Sequence, residues 1–301
     1  MNITKLIKKH STRVDEKLIW ERINYLLSKE LEFDRHLIRK IVSFIDLTSL
    51  EGKDTPASIL SLCKRAIQPF SNPNETIHCA AVCVYPLLVP SVKKFLQDTK
   101  VRLAAVSTGF PSGQFPLKTK IEETRYCIFE GAEEIDMVIS RGSFLSGKYQ
   151  DVYDEIKEIK KVCEETSKKI SDPSKNEKKI HLKVILETGE LESLDNVRKA
   201  SYLAMYAGAD FIKTSTGKSQ PAATLPAYLV MLDAINDYYL ETNTKVGIKP
   251  AGGIRTTDEA VRFLTLTYNV LGTGWINSEF FRIGASSLLD DLIKTYKEFK
   301  F

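Results

Sequence analysis

Three lysines and two aspartates stand where charge is least expected. Asp46, Asp136, Lys183, Lys213 and Lys249 fall inside short runs rich in β-branched residues: VSFIDLT (42–48), EEIDMVI (133–139), IHLKVILE (180–187), FIKTST (211–216) and KVGIKPA (245–251). A parallel strand covered on both faces normally reads as a near-continuous apolar run. Side chains alternate along a strand, so each charge points either into the middle of the fold or onto its outer layer. Lys213 shares a face with Phe211 and Ser215, Lys249 with Gly247 and Ala251, and Asp136 with Glu134 and Val138. If those faces point inward, two aspartates and three lysines meet in one interior. A buried charge without a partner is costly or loses its charge, so an opposite-charge network is required.

Such a network either only fixes geometry or performs chemistry. Apolar replacements of buried ion pairs are often as stable, which favours a functional reason for keeping one. Lysine supplies that reason. An amine attacks a carbonyl only when neutral, and a free lysine is almost fully protonated at neutral pH. Desolvation and a neighbouring cation both favour the neutral form, and a pair such as Lys213 and Lys249 offers both. A carboxylate such as Asp136 can shuttle protons while an imine forms and collapses. Spacing does not say which lysine is the nucleophile.

The elements that must hold these groups repeat. Further strand-like runs are CAAVCVYP (79–86), RLAAVST (102–108) and FRIGAS (281–286). Helical patterning is expected near 56–67, 90–98, 116–130, 150–169, 193–206, 222–239 and 257–268, with SLLDDLIKTYKEF last. Eight consecutive βα units over 42–301 predict an α/β fold, a single (β/α)8 TIM barrel. Residues 1–41 precede it as a helical extension. There DEKLIWERINYLLSKELEF places Ile19, Ile23, Leu26 and Leu27 at helical spacing. Strand seven runs into KPAGGIR (249–255), and strand eight into Ser286, Ser287 and a helix. Glycines and a helix N-terminus at those strand ends are the usual phosphate site of such barrels. The polar stretch SDPSKNEKK (171–179) reads as a solvated insertion at the opposite end.

Other chemistries find little support. The 301 residues carry a net charge of +4, dispersed along the chain, which argues against a nucleic-acid partner. Cys63, Cys79, Cys83, Cys127 and Cys163 form no CxxC pair, so reduced thiols are expected, with Cys83 buried and inert. His10, His36, His78 and His181 fall at no strand C-terminal end, and no metal is expected. The basic start, MNITKLIKKHSTRVDEK, lacks a secretory apolar run and no window suits a membrane span, so a cytoplasmic protein is expected; organellar targeting is the weaker alternative, since Asp15 and Glu16 come early.

FIKTSTGK (211–218), VGIKPAGGIR (246–255), EEIDMVI (133–139), AAVCVYP (80–86), IDLTSL (45–50), LKVILETGEL (182–191) and FRIGASSLL (281–289) resemble the blocks of the deoxyribose-phosphate aldolase family, in order, over roughly residues 40 to 295. The long N-terminal region is similar to the eukaryotic branch. The resemblance implies a class I aldolase with Lys213 as the Schiff-base lysine, Lys249 perturbing it and joining proton transfer, and Asp136 moving protons through water. It implies a phosphate site of Gly217, Lys218, Gly252, Gly253, Gly284, Ser286 and Ser287, with Asp46, Thr48 and Lys183 in support. It implies no cofactor, and a phosphosugar and acetaldehyde as small-molecule partners. A homo-oligomer is compatible with the sequence. Another lysine-dependent aldolase, or a barrel that binds phosphosugar without catalysis, are the alternatives. Family members often carry a longer tail, sometimes ending in tyrosine, where this chain stops at Phe301.

Overall fold

The computed structural model describes residues 3–10, 13–29, 31–71, 76–170 and 179–299. The SDPSKNEKK stretch, apart from Lys179, and Phe301 lie outside the described residues. Three helices lead the chain: α1 (Ile3–Lys9), α2 (Glu16–Leu27) and α3 (Arg35–Val42). Then strands and helices alternate: β1 (Ile45–Thr48), α4 (Pro56–Ile67), β2 (Ala81–Val84), α5 (Val89–Phe95), β3 (Arg102–Ser107), α6 (Leu117–Glu130) and β4 (Glu134–Val138). After α7 (Arg141–Leu145) and α8 (Tyr149–Ile170) come β5 (His181–Ile185), α9 (Leu194–Tyr206), β6 (Phe211–Lys213) and α10 (Leu225–Thr242). The chain finishes with β7 (Gly247–Lys249), α11 (Thr257–Leu271), β8 (Ile283–Ala285) and α12 (Leu288–Glu298).

The strands are parallel and follow chain order round a ring, with β1 between β2 and β8. Isolated bridges Ile248–Phe281 and Ala251–Gly284 bring β7 against β8 and close it. This is the (β/α)8 barrel predicted from the sequence. Ile45, Leu47, Val82, Ile135, Met137, Leu182, Val184, Ile212, Ile248 and Ile283 are buried in the main apolar core, between strands and helices. The polar or small residues that alternate with them face the barrel axis.

Several boundaries differ from the patterning. The apolar run beginning at Val42 starts in α3, not in strand one: Leu37, Ile38, Ile41 and Val42 are buried on one helical face. A short apolar run has no period that separates strand from helix. The predicted strands also overrun, since β6 and β7 keep only three residues each. Their remaining predicted residues become the loops that carry the site. The second helix stops at Leu27, where Ser28 supplies the C-cap.

Local capping sets the loop-to-helix junctions. Thr256 and Glu259 form a reciprocal capping box at α11, and Thr224 caps α10 by accepting from the Ala227 N–H. The leading helices pack on the helical layer: α1 on α8 and α9, α2 on α10 and α11, α3 on α11 and α12. Ile19, Ile23 and Leu26 are the buried stripe of α2, and Arg22 grips Asp233 through two hydrogen bonds of 2.6 and 2.9 Å.

Candidate active site

The inward faces of β1 and β4–β7, joined by Arg282 just ahead of β8, carry a continuous charged cluster. Asp46, Glu134, Asp136, Lys183, Lys249 and Arg282 have no solvent exposure, and Lys213 has 2%. Strand register brings the groups level: Lys213 pairs with Lys249 across β6 and β7, and Asp136 with Lys183 across β4 and β5. The Lys213 Nζ donates to Asp136 Oδ2 at 2.8 Å, and Lys249 Nζ donates to the same oxygen at 2.7 Å. Lys249 also reaches Asp46 Oδ2 at 2.6 Å. Lys183 bonds Glu134 at 2.5 Å and Asp136 Oδ1 at 3.0 Å, and lies 3.2 Å from Asp46. Beneath them Arg282 spans Asp46 at 2.7 Å and Glu134 at 2.7 and 3.1 Å. The interior on the β2 and β3 side is small and apolar: Ala81, Cys83, Ala104 and Val106.

Burial alone would raise Asp136, but the Lys183, Lys213 and Lys249 charges outweigh it and hold the carboxyl well below its usual range. Asp46 is lowered in the same way, with burial overcome by Lys183, Lys249 and Arg282. Burial would depress Lys249, yet Asp136 and Asp46 raise it, so it stays an ammonium. Lys213 moves the other way. Burial favours its neutral amine, Asp136 opposes this, and the Lys249 charge adds to it, leaving Lys213 below the usual lysine range. Two lysines on adjacent strands, sharing one carboxylate oxygen, are thus held in opposite senses. The Cys83 thiol, 4.0 Å from Asp136, is pushed up to about 11 by burial and remains protonated.

Above Lys213 a cavity of about 360 Å³ opens at the C-terminal ends of β1, β6, β7 and β8. Thr48, Lys213, Gly217, Lys218, Gly252, Gly253, Gly284, Ser286 and Ser287 all line it. Gly217 and Gly252 have φ of +80° and +83°, which favours glycine at both, and a Cβ on Gly252 would fall 2.9 Å from the Gly217 Cα, so the close approach of the two loops also requires glycine at 252. Ser287 is the N-cap of α12 without a side-chain bond to it, and Ser286 and Ser287 are exposed. The helix N-terminus therefore offers N–H groups to an anion. Lys218 pairs with Glu51 at 2.9 Å, at the cavity's edge. Larger depressions, of about 960 and 620 Å³, lie among the outer helices, and none of Lys183, Lys213 and Lys249 lines them.

The expected residues therefore gather in two layers. The anion-site candidates and Thr48 line the cavity, while Asp46, Asp136, Lys183 and Lys249 lie beneath it. Histidines stay outside, with His181 at the start of β5, the far end of the barrel. Glu134 and Arg282 complete the cluster and have no role in the sequence reading. Period-two alternation carries their signal, since Glu134 shares the face of Asp136 and Arg282 that of Gly284. Glu187 shares the alternation of Lys183 in the run 180–187, but the strand ends at Ile185 and the turn beyond it redirects this residue. It is buried with φ of +56°, accepts from the Thr216 N–H at 3.1 Å, and meets Arg141 at 3.0 Å, bracing the loop after β6.

The model of the DeoC/LacD family aldolases matches residues 40–291. The chain is 44% identical to the deoxyribose-phosphate aldolase of Mus musculus over 282 residues, covering 90% of this chain and 84% of the mouse protein. The Homo sapiens deoxyribose-phosphate aldolase is 43% identical over the same length and coverage. Among solved structures, the tetrameric deoxyribose phosphate aldolase of Aeropyrum pernix aligns with a TM-score of 0.67 and 22% identity, over 92% of this chain and 97% of that one, a likeness of fold. With a lysine of lowered basicity at the base of its cavity and the family's match across the barrel, the chain belongs to the DeoC/LacD aldolase family.

Proposed function

We propose that this chain cleaves 2-deoxy-D-ribose 5-phosphate reversibly to D-glyceraldehyde 3-phosphate and acetaldehyde, with Lys213 as the Schiff-base residue. The observation that carries the reading is the Lys213 amine at the cavity base, its basicity lowered, beside the ammonium of Lys249. The neutral amine adds to the substrate aldehyde, and loss of water gives an iminium. The C2–C3 bond then breaks as the 3-hydroxyl gives up its proton, and the electron pair moves into the iminium to form an enamine. Glyceraldehyde 3-phosphate leaves, the enamine carbon takes a proton, and water releases acetaldehyde and the free amine. Asp136 accepts from Lys213 and from Lys249 through one oxygen, and this shared carboxylate links the two amines for the proton transfers.

Gly217, Lys218, Gly252, Gly253, Gly284, Ser286 and Ser287 hold the phosphate, so its binding orients the aldehyde over Lys213. A phosphate oxygen then competes with Glu51 for the Lys218 ammonium. Asp46, Thr48 and Lys183 support the base of the site. The lysine supplies the electron sink, so this chemistry asks for no cofactor. Deoxynucleoside breakdown in the cytoplasm is the setting this reading implies. Five buried, unpaired thiols suit a reducing compartment.

Reduction with borohydride in the presence of acetaldehyde, followed by peptide mass mapping, tests the assignment. An ethyl group on Lys213 is expected. Folded protein without that adduct would favour a barrel that binds phosphosugar and performs no chemistry. Competition with other phosphorylated sugars would expose a different lysine-dependent aldolase.

A further inference from the structure

The buried cluster contains more cationic groups than anions. Asp46, Glu134 and Asp136 supply three carboxylates, and Lys183, Lys213, Lys249 and Arg282 supply four groups able to carry positive charge. A water-poor interior tolerates net charge poorly, so one of the four must give up its proton. Arginine does not. Lys183 contacts three carboxylates, and Lys249 contacts two. Lys213 contacts one, and that oxygen is already shared with Lys249. The deficit therefore falls on Lys213.

Glu134 and Arg282 decide this balance from below, without reaching the cavity. Arg282 takes up one charge of Asp46 and Glu134, and Glu134 anchors Lys183 and Arg282. Without Arg282 the interior has three carboxylates for three lysines, and Lys213 gains a counter-charge. Without Glu134 the shortage of anions deepens. We infer that Glu134 and Arg282 are positioning residues for the amine chemistry, setting the charge balance that leaves Lys213 as the group without a counter-charge. This rests on Lys213 being the nucleophile.

Every charged or titratable neighbour fits the balance. Acting on Lys213 are Asp136 from β4, Lys249 from β7 and Cys83 from β2; behind these, the same cluster holds Glu134 from β4, Lys183 from β5, Asp46 from β1 and Arg282 beside β8. Around Glu134, Arg102 is partly exposed and pairs also with Glu279, so solvent and a second carboxylate offset it. His181, 3.9 Å from Glu134, is lowered by burial to about 4 and is neutral.

The test is the pH profile of initial Lys213 adduct formation with acetaldehyde under cyanoborohydride, read by peptide mass mapping. Glu134→Gln should move the midpoint to lower pH, and Arg282→Met to higher pH, each by about one unit for a charge near the site. The double variant Glu134→Gln/Arg282→Met removes one charge of each sign and should return the midpoint to that of the wild type. Apolar or neutral replacement of a buried pair is often tolerated, so the double variant serves even where Arg282→Met alone fails to fold. Shifts of the same sign, no shift, or a double variant that stays displaced would each overturn the inference. Wild-type protein lacking a Lys213 adduct would instead sink the nucleophile assignment, and this inference with it.

Discussion

The two faces of the same eight strands obey opposite rules. Outward, Ile45, Leu47, Ile135, Leu182, Val184, Ile212, Ile248 and Ile283 pack in the apolar core beneath the helices. Inward, one residue along, stand Asp46, Glu134, Asp136, Lys183, Lys213 and Lys249. The outward face gains free energy from water by burying apolar surface. The inward face gives some of that back, because desolvating charges offsets most of what their pairing contributes. What the inward face gains is an amine of lowered basicity in a fixed place. Stability and chemistry are thus separated by a step of one residue, and substitutions on the two faces should fail differently.

The largest effect is expected at Lys213. Lys213→Ala should lower turnover by at least about a thousandfold, as for removal of other covalent nucleophiles, with the fold retained by circular dichroism. Substantial remaining turnover would mean that another residue forms the imine. The outward neighbour of Lys183 gives the converse. Leu182→Ala should cost about 2–5 kcal/mol in urea unfolding while the folded fraction keeps its turnover. If activity per folded molecule collapses as well, the two faces are not separable.

Lys249→Leu sharpens the electrostatic side. Removing the neighbouring cation lets Lys213 hold its proton more tightly, so the rate profile should move to higher pH by about one unit. An unmoved profile would disconnect the two lysines. Acid titration should give the mildest effect. His181 is lowered by burial to about 4 from 6.5, so the unfolded chain takes up that proton first and stability declines as pH falls from 6.5 toward 4. Glu134, where burial is overcome by Arg282 and Lys183, is held at about 2 from 4.5. Its contribution is present above 4.5 and is lost as pH falls from there toward 2. Urea midpoints at pH 7, 5 and 3.5 would show the decline, and His181→Gln should flatten its upper part. An unchanged slope in that variant would remove His181 as the cause.

Much of this was legible in the chain. Charges spaced by two in β-rich runs announced an ionic barrel interior, and eight alternating units announced the barrel. Glycine pairs and Ser286–Ser287 at the last strand ends pointed to residues that line the cavity over Lys213. Arg282 and Glu134 were legible by parity, but parity names a face and not a partner. The partners of Glu187 were not legible, because a backbone turn after β5 brings it against Thr216 and Arg141. Val42 was assigned to the wrong element, since four apolar residues in a short run fit a helix end as well as a strand.

The sequence by itself determined the alternation of elements, the inward charges and the glycines, because these follow from local spacing and backbone sterics. Only the tertiary structure decided which lysine is the less basic one. That choice depends on how many carboxylates each amine meets across strands distant in the chain, and Coulomb interactions in a dry interior follow distance in space, not separation in sequence.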